Sequence, residues 1–141
     1  MGAAWLIITV TSAWFAAKVN GECAPGNYYW EPYDSLGYSY RVICWVGYVN
    51  IETAEKQCEY EGGKLASVHS EYENKVVTET AYGNVFDSSV LTWIGLRKVG
   101  GSWRWTDGTY FDYSNWAPTQ PDNYYGHATE SPELCVQVSL Y

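Results

Sequence analysis

A period-two alternation of apolar residues predicts strands on either side of a helical region. The segments are residues 38–49, 90–98, 102–108 and 133–141. In the first, Tyr40, Val42 and Cys44 fall on one face. In the third, Trp103 and Trp105 share a side, and the Asp-Gly pair that follows is a turn signal.

Between residues 50 and 90, apolar residues recur every three or four positions, which predicts two helices. The first spans 50–63, where Asn50 can cap the amino end and a Gly-Gly pair ends the helix. The second begins at Ser70, which forms a capping box with Glu73. The residues expected to share a face are Ile51, Ala54 and Cys58 in the first helix and Tyr72, Val76 and Thr80 in the second.

Two helices, followed by short strands and the aromatic, Pro-interrupted stretch 109–123, predict an α+β domain. Residues 1–21 carry an uncharged apolar run followed by small residues, which favours a signal peptide over a buried helix. The domain would then be 22–141, secreted and extracellular. No second apolar run is long enough to span a membrane.

The net charge of the chain limits the classes of partner that it can bind. Sixteen acidic and eight basic residues give a net charge of −8, without any Lys/Arg run. This argues against nucleic acid, heparin or an anionic membrane surface as a partner. Aromatic residues make up 18% of the chain, more than a core alone requires, and the surplus suits a surface that recognises sugars or proteins.

Five segments, in this order, resemble the C-type lectin-like domain. They are AEKQCEYEGGKLASVHSEYENKVV (54–77), TWIGLRK (92–98), WRWTDGTYFDYSNWAP (103–118), QPDN (120–123) and ELCVQV (133–138). WIGL alone would be a weak signal, but five independent segments in the same order are a specific one. The resemblance implies two helices, two small antiparallel sheets and a long calcium-binding loop. It also implies C-terminal strands that the printed chain does not contain.

Four cysteines, at positions 23, 44, 58 and 135, suggest disulfides in a secreted protein, and their spacing leaves the pairing open. The resemblance gives Cys58 and Cys135 partners beyond a Trp-Asn-Asp motif, which this chain lacks. A truncated or mispredicted product and a genuine short form both explain that departure. Cys23 and Cys44 are displaced from the family's usual places and are expected to pair with each other.

The resemblance assigns calcium ligands to Gln120, Asp122 and Glu133. Calcium prefers six to eight oxygen ligands and accepts carboxylates and amides together. A cis bond before Pro121, which the family has, would let both flanking side chains reach one ion. Two further family ligands are missing here, so calcium binding is expected to be weaker than about 10⁻³ M. Taken alone, QPDN would be read as an exposed turn.

The order of amide and acid implies the sugar. In the family, Gln-Pro-Asp accompanies galactose-like ligands and Glu-Pro-Asn mannose-like ones. The stretch QPDNYYGH resembles lectins of the asialoglycoprotein-receptor type. Tyr124 stands where those lectins carry a Trp that stacks on galactose, and His127 matches a position linked to N-acetylgalactosamine. An ordinary loop histidine is the plainer explanation for His127. ATESP replaces the family's Gly-rich loop, which leaves the position of Tyr124 open.

Three functions are compatible with these features to different degrees. The first is a secreted lectin for glycans with terminal galactose or N-acetylgalactosamine, with homo-oligomer formation left open. The second is a calcium-independent protein-interaction or structural module on the same scaffold. The third, a glycosidase using Glu130 and Glu133, is disfavoured because neighbouring carboxylates on one loop seldom flank a glycosidic bond. An enzyme is therefore not expected. Without its last strand, the domain is expected to be marginally stable once the leader is removed.

Overall fold

The computed structural model describes residues 3–6, 14–18, 31–46, 49–82, 92–122 and 134–138. These residues form two helices and seven strands, which confirms the predicted α+β class. The helices are α1 (Ile51–Tyr60) and α2 (Glu71–Tyr82). The strands are β1 (Ala3–Leu6), β2 (Trp14–Lys18), β3 (Glu31–Tyr33), β4 (Tyr38–Val46), β5 (Thr92–Val99), β6 (Ser102–Trp105) and β7 (Cys135–Val138).

The strands form two antiparallel groups, which are joined by β2 and by a single pairing between Leu6 of β1 and Trp93 of β5. β4 pairs antiparallel with β3 and β1, and β5 pairs antiparallel with β6 and β7. β2 lies between the groups, parallel to β4 and antiparallel to β5. Both β1 and β2 lie within residues 1–21, the predicted leader. Removal of that leader stays a prediction.

Helix α1 follows its predicted pattern. The Asn50 side chain caps it, accepting a hydrogen bond from the backbone N–H of Thr53 at 2.9 Å. Ile51, Ala54 and Cys58 are all buried, so the predicted inward stripe is confirmed. After the helix, the N–H of Gly63 donates to the carbonyl of Cys58, in the glycine-rich ending that the sequence indicated.

In α2 the predicted face is confirmed for Val76 and Thr80, which are buried, and is wrong for Tyr72. Tyr72 is 51% exposed, and its hydroxyl lies 3.5 Å from that of Ser35. The buried stripe consists of Glu73, Val76, Val77, Thr80 and Ala81. Glu73 belongs to it because its carboxylate turns back to accept the backbone N–H of His69 at 2.6 Å. Since adjacent helical residues are about 100° apart, this orientation turns Tyr72 towards solvent.

The core lies between the helices and the β4 and β5 strands. Tyr40 and Leu65 are its largest fully buried side chains. Gly95 of β5 lies where no side chain fits: a Cβ there would stand 2.8 Å from the Thr106 hydroxyl and 3.0 Å from the Leu65 carbonyl. Because the backbones lie so close, the N–H of Gly95 donates to the carbonyl of Ala66. The carbonyl of Gly95 accepts from the N–H of Thr106. These contacts fix the point at which the chain leaves β6 for the long loop.

Candidate functional site

Aromatic rings hold the long loop, residues 106–122, against the sheet. The Trp116 ring centroid lies 5.1 Å from that of Trp103 and 6.4 Å from that of Phe111. Phe111 in turn lies 6.2 Å from the buried Trp105. Such ring pairs stabilise by about 0.5–1.5 kcal/mol beyond their buried area. These tryptophans therefore act as scaffold residues, and they hold the loop as far as its exposed end.

Gln120 and Asp122 stand at that end, and both are exposed. The backbone N–H of Gln120 donates to the carbonyl of Ala117 at 2.9 Å, so the loop turns just before the motif. Thr119, within this turn, has a positive φ of 71°. The Gln120–Pro121 peptide bond is cis, as the resemblance implied. The structure thus presents an amide oxygen and a carboxylate on either side of one proline.

The remaining predicted site residues, Tyr124, His127 and Glu133, lie outside the described residues, and so does Cys23. The residue after Glu133 is described: the carbonyl of Leu134 accepts the N–H of Lys98 at 2.8 Å. The proposed ligand trio therefore cannot be assembled from the described residues. Within them, no group of three or more His, Cys, Asp or Glu side chains is arranged to hold a metal ion.

A cavity of about 370 Å³ opens beside the loop. Its wall is mainly aromatic and aliphatic, and it includes Trp103, Trp105, Phe111 and Trp116. Gln120 and Pro121 also line it, so the predicted motif borders this cavity.

Cys58 and Cys135 are thiols, and the described residues contain no disulfide. Burial strongly raises the pKa of the Cys58 thiol, and Glu55 and Glu59 raise it further. Burial also raises the pKa of Cys135, although the Arg97 charge opposes it. Of the predicted Cys23–Cys44 pair, only the backbone of Cys44 is described, within β4. That pairing stays a prediction.

The sequence analysis missed a hydrogen-bonded cluster at the start of the loop. His69 Nδ1 lies 2.6 Å from Asp112 Oδ1, and His69 Nε2 lies 3.0 Å from the Thr109 hydroxyl. Asp107 accepts from Thr109 through one oxygen and from the buried Ser67 through the other. The Asp-Gly turn was a readable signal. Nothing in the sequence indicated that His69 would pair with Asp112, which lies 43 positions further along the chain.

The fold, the aromatic anchor and the exposed Gln-Pro-Asp motif define a C-type lectin domain, and comparison with known proteins agrees. The Lectin C-type domain family matches residues 48–140. This chain belongs to the C-type lectin family. Among the described residues, neither helix combines the length and apolar composition needed to cross a membrane.

Several relatives are C-type lectins of animals. Asialoglycoprotein receptor 2 of Homo sapiens is 36% identical over 118 residues, 82% of this chain and 34% of the receptor. C-type lectin domain family 10 member A of Rattus norvegicus is 43% identical over 84 residues, 58% of this chain and 26% of that protein. Lectoxin-Lio1 of Erythrolamprus poecilogyrus is 38% identical over 107 residues, 73% of this chain and 60% of the lectoxin. The chain spans about a third of the length of the human receptor.

Proposed function

We propose that this protein is a secreted, calcium-dependent lectin for glycans ending in galactose or N-acetylgalactosamine. The observation that carries the proposal is the exposed Gln120-Pro121-Asp122 motif at the end of a loop fixed by tryptophan packing. Family membership and the similarity to asialoglycoprotein receptor 2 support the sugar class. The same relatives support a binding protein rather than an enzyme.

The donor set described suits calcium. Gln120 and Asp122 offer an amide oxygen and a carboxylate, the mixture that this ion accepts. Glu133 is the third residue that would hold it. Calcium, when bound, supplies a cation on which two neighbouring sugar hydroxyls can be held. The amide and acid then set which hydroxyl protons are accepted and which oxygens receive a donor.

Retention on immobilised galactose tests the proposal. The full chain, loaded in excess calcium, should be retained on galactose, pass through a mannose column and elute when a chelator is added. Asp122→Ala should abolish retention because it removes an anionic ligand. Asp34→Ala is the matched control, since Asp34 is an exposed aspartate in the turn between β3 and β4.

Three other results of this experiment would contradict the proposal, and each would favour a different conclusion. Retention that survives the chelator would overturn calcium dependence and favour the protein-interaction module. Failure to be retained at any calcium concentration, with the protein folded, would overturn the sugar assignment. Release of chromophore from a chromogenic galactoside would revive the glycosidase.

A further inference from the structure

We propose that His69 is a proton-dependent positioning residue that fastens the long loop to the start of α2 when its ring carries two protons. The five residues involved, called here the His69 clasp, are Ser67, His69, Asp107, Thr109 and Asp112. The fastening itself is independent of any ligand. Its consequence for glycan binding rests on the proposed function.

The clasp joins two parts of the chain that are about 40 residues apart. Ser67 and His69 lie in the segment between α1 and α2, and the other members follow β6. The Ser67 hydroxyl donates to Asp107 Oδ2 at 2.7 Å. Thr109 donates to Asp107 Oδ1 through both its backbone N–H, at 2.8 Å, and its hydroxyl, at 2.6 Å.

Counting protons fixes the state of the ring. The Thr109 hydroxyl has one proton, and Asp107, a carboxylate, can only accept it. The 3.0 Å contact between Thr109 Oγ1 and His69 Nε2 therefore requires the ring to donate. The 2.6 Å contact between His69 Nδ1 and Asp112 requires the ring to donate there as well. A neutral imidazole has one N–H, so only the doubly protonated ring satisfies both contacts.

The charges around the ring suit this state. Asp112 faces it from the loop, Glu73 of α2 accepts the backbone N–H of His69, and Asp107 stands behind Thr109. The fourth neighbour is the neutral Trp105 of β6, whose ring centroid lies 6.0 Å away. Of these groups, the Asp112 carboxylate is the one in direct contact with the ring, and its charge complements a positive ring. The His69 side chain is 27% exposed and the Asp112 side chain 57%, so protons exchange with solvent without unfolding.

The pH dependence has two limits. The hydrogen bond and charge of His69 lower the pKa of the Asp112 carboxyl below its ordinary value. A depressed folded-state pKa contributes stability above the unfolded value of about 3.9 and loses it as the pH falls through the folded value. At the upper limit, a ring that gives up its second proton loses one of its two hydrogen bonds.

A Thr-His-Asp chain also suggests a catalytic triad, and the geometry argues against one. A triad requires the hydroxyl to donate to the imidazole, which then removes its proton. Here the Thr109 hydroxyl gives its proton to Asp107 at 2.6 Å, so His69 has no proton to accept from it. The cluster positions the loop and does not activate a nucleophile.

The clasp bears on the motif through the loop that both share. Asp112 lies between Phe111 and Tyr113, which pack against the core, and the loop continues through Trp116 to Gln120. Fastening residues 107–112 therefore fixes the entry of the loop, and the tryptophan packing fixes its exit. A loosened entry should lower the affinity of the motif for its ligand without changing the ligands themselves.

Nitrogen NMR of the histidine rings in the full chain tests the proposal directly. The chain has two histidines, and a His127→Gln variant assigns the remaining signal to His69. Across a series of pH values, loss of the second ring proton should coincide with loss of amide-exchange protection at Thr109. The expected loss is about fivefold after correction for intrinsic exchange, as for one ordinary hydrogen bond. Protection that stays constant while the ring titrates would overturn the proposal, as would a ring that carries one proton throughout while Thr109 stays protected.

Two variants separate positioning from general stability. Thr109→Val removes the acceptor for Nε2 at nearly constant volume and should flatten the pH profile of loop protection. Thr109→Ser keeps the hydroxyl, so the pH profile of loop protection should be the same as in the unchanged chain. Equal profiles for the two variants would contradict the clasp. Because neither readout involves a glycan, the clasp can stand if galactose retention fails, and it can fail while retention is observed.

Discussion

At the scale of single residues, burial decides which polar groups depend on a partner. The Ser67 side chain is nearly inaccessible, and its hydroxyl donates to Asp107 Oδ2. The backbone N–H and hydroxyl of Thr109 converge on the other oxygen of the same carboxylate. One acidic side chain therefore satisfies three donors, one of them buried.

Asp107→Ala should destabilise the protein by about 1–3 kcal/mol, because the Ser67 hydroxyl loses its acceptor in a site closed to water. Urea unfolding followed by tryptophan fluorescence measures the change. Asp107→Asn is the control. It keeps one acceptor oxygen, for either Ser67 or Thr109, and should lower the free energy of unfolding by less. An alanine variant as stable as the unchanged chain would show that water reaches Ser67 after all.

Residue-scale features were predictable from sequence when their partners were close along the chain. The Asn50 cap is three residues from the N–H it accepts, and the capping box was recognised at Ser70 and Glu73. The Glu73 carboxylate nevertheless accepts from the backbone N–H of His69 rather than that of Ser70, and Tyr72 is the one residue of the predicted α2 face that is exposed. The contact between His69 and Asp112 exists only because the fold brings distant residues together.

At the scale of elements, β5 lies against the segment between α1 and α2, and this close approach depends on the absence of a side chain at Gly95. The strand lies so close that the Leu65 carbonyl is 3.0 Å and the Thr106 hydroxyl 2.8 Å from the position of a Cβ. Hydrogen bonds from Gly95 to Ala66 and from Thr106 to Gly95 lock this approach.

Gly95→Ala should therefore destabilise the fold by about 1–3 kcal/mol, the usual cost of overfilling a packed site. Thermal unfolding of the single variant and of Gly95→Ala combined with Thr106→Ala provides the measurement. The second change removes the nearest clashing atom, so the double variant should recover part of the loss. Additive losses in the double variant would contradict the steric explanation.

The elements themselves were predictable because their patterns are local. The stripe of α1 and the alternation in β4, β5 and β6 follow from periods of 3.6 and two. The Gln120 and Asp122 motif came instead from resemblance, since a Pro between polar residues reads as a turn on its own. No periodicity in residues 1–21 indicated β1 or β2, because strand pairing with β4 and β5 is a long-range contact.

At the scale of the whole molecule, β2 joins the two strand groups. β4 and β5 both pair with it, and β1 adds one further pairing with β5, so residues 3–6 and 14–18 carry the link between the two groups. Cleavage after residue 21, as predicted for a signal peptide, would remove both β1 and β2. The facing edges of β4 and β5 would then present unpaired backbone groups.

Comparison of the full chain with one beginning at residue 22 tests this consequence. The shorter chain should unfold at a lower temperature, with a broader transition and concentration-dependent aggregation. Alkylation followed by peptide mapping provides a second readout. Cys58 should resist modification in the full chain, because burial keeps its thiol protonated, and should become reactive in the shorter one. A sharp, cooperative melt of the shorter chain with Cys58 unreactive would contradict this account.

The central claim is that Gln120 and Asp122 select the sugar through the order of amide and acid. The most direct measurement is the affinity for galactose and for mannose, in saturating calcium, of the unchanged chain and of Gln120→Glu combined with Asp122→Asn. The total charge of the motif is the same in both proteins, so only the order differs. The account predicts a preference for galactose in the unchanged chain and for mannose in the exchanged one. The same sugar preference in both proteins would contradict it.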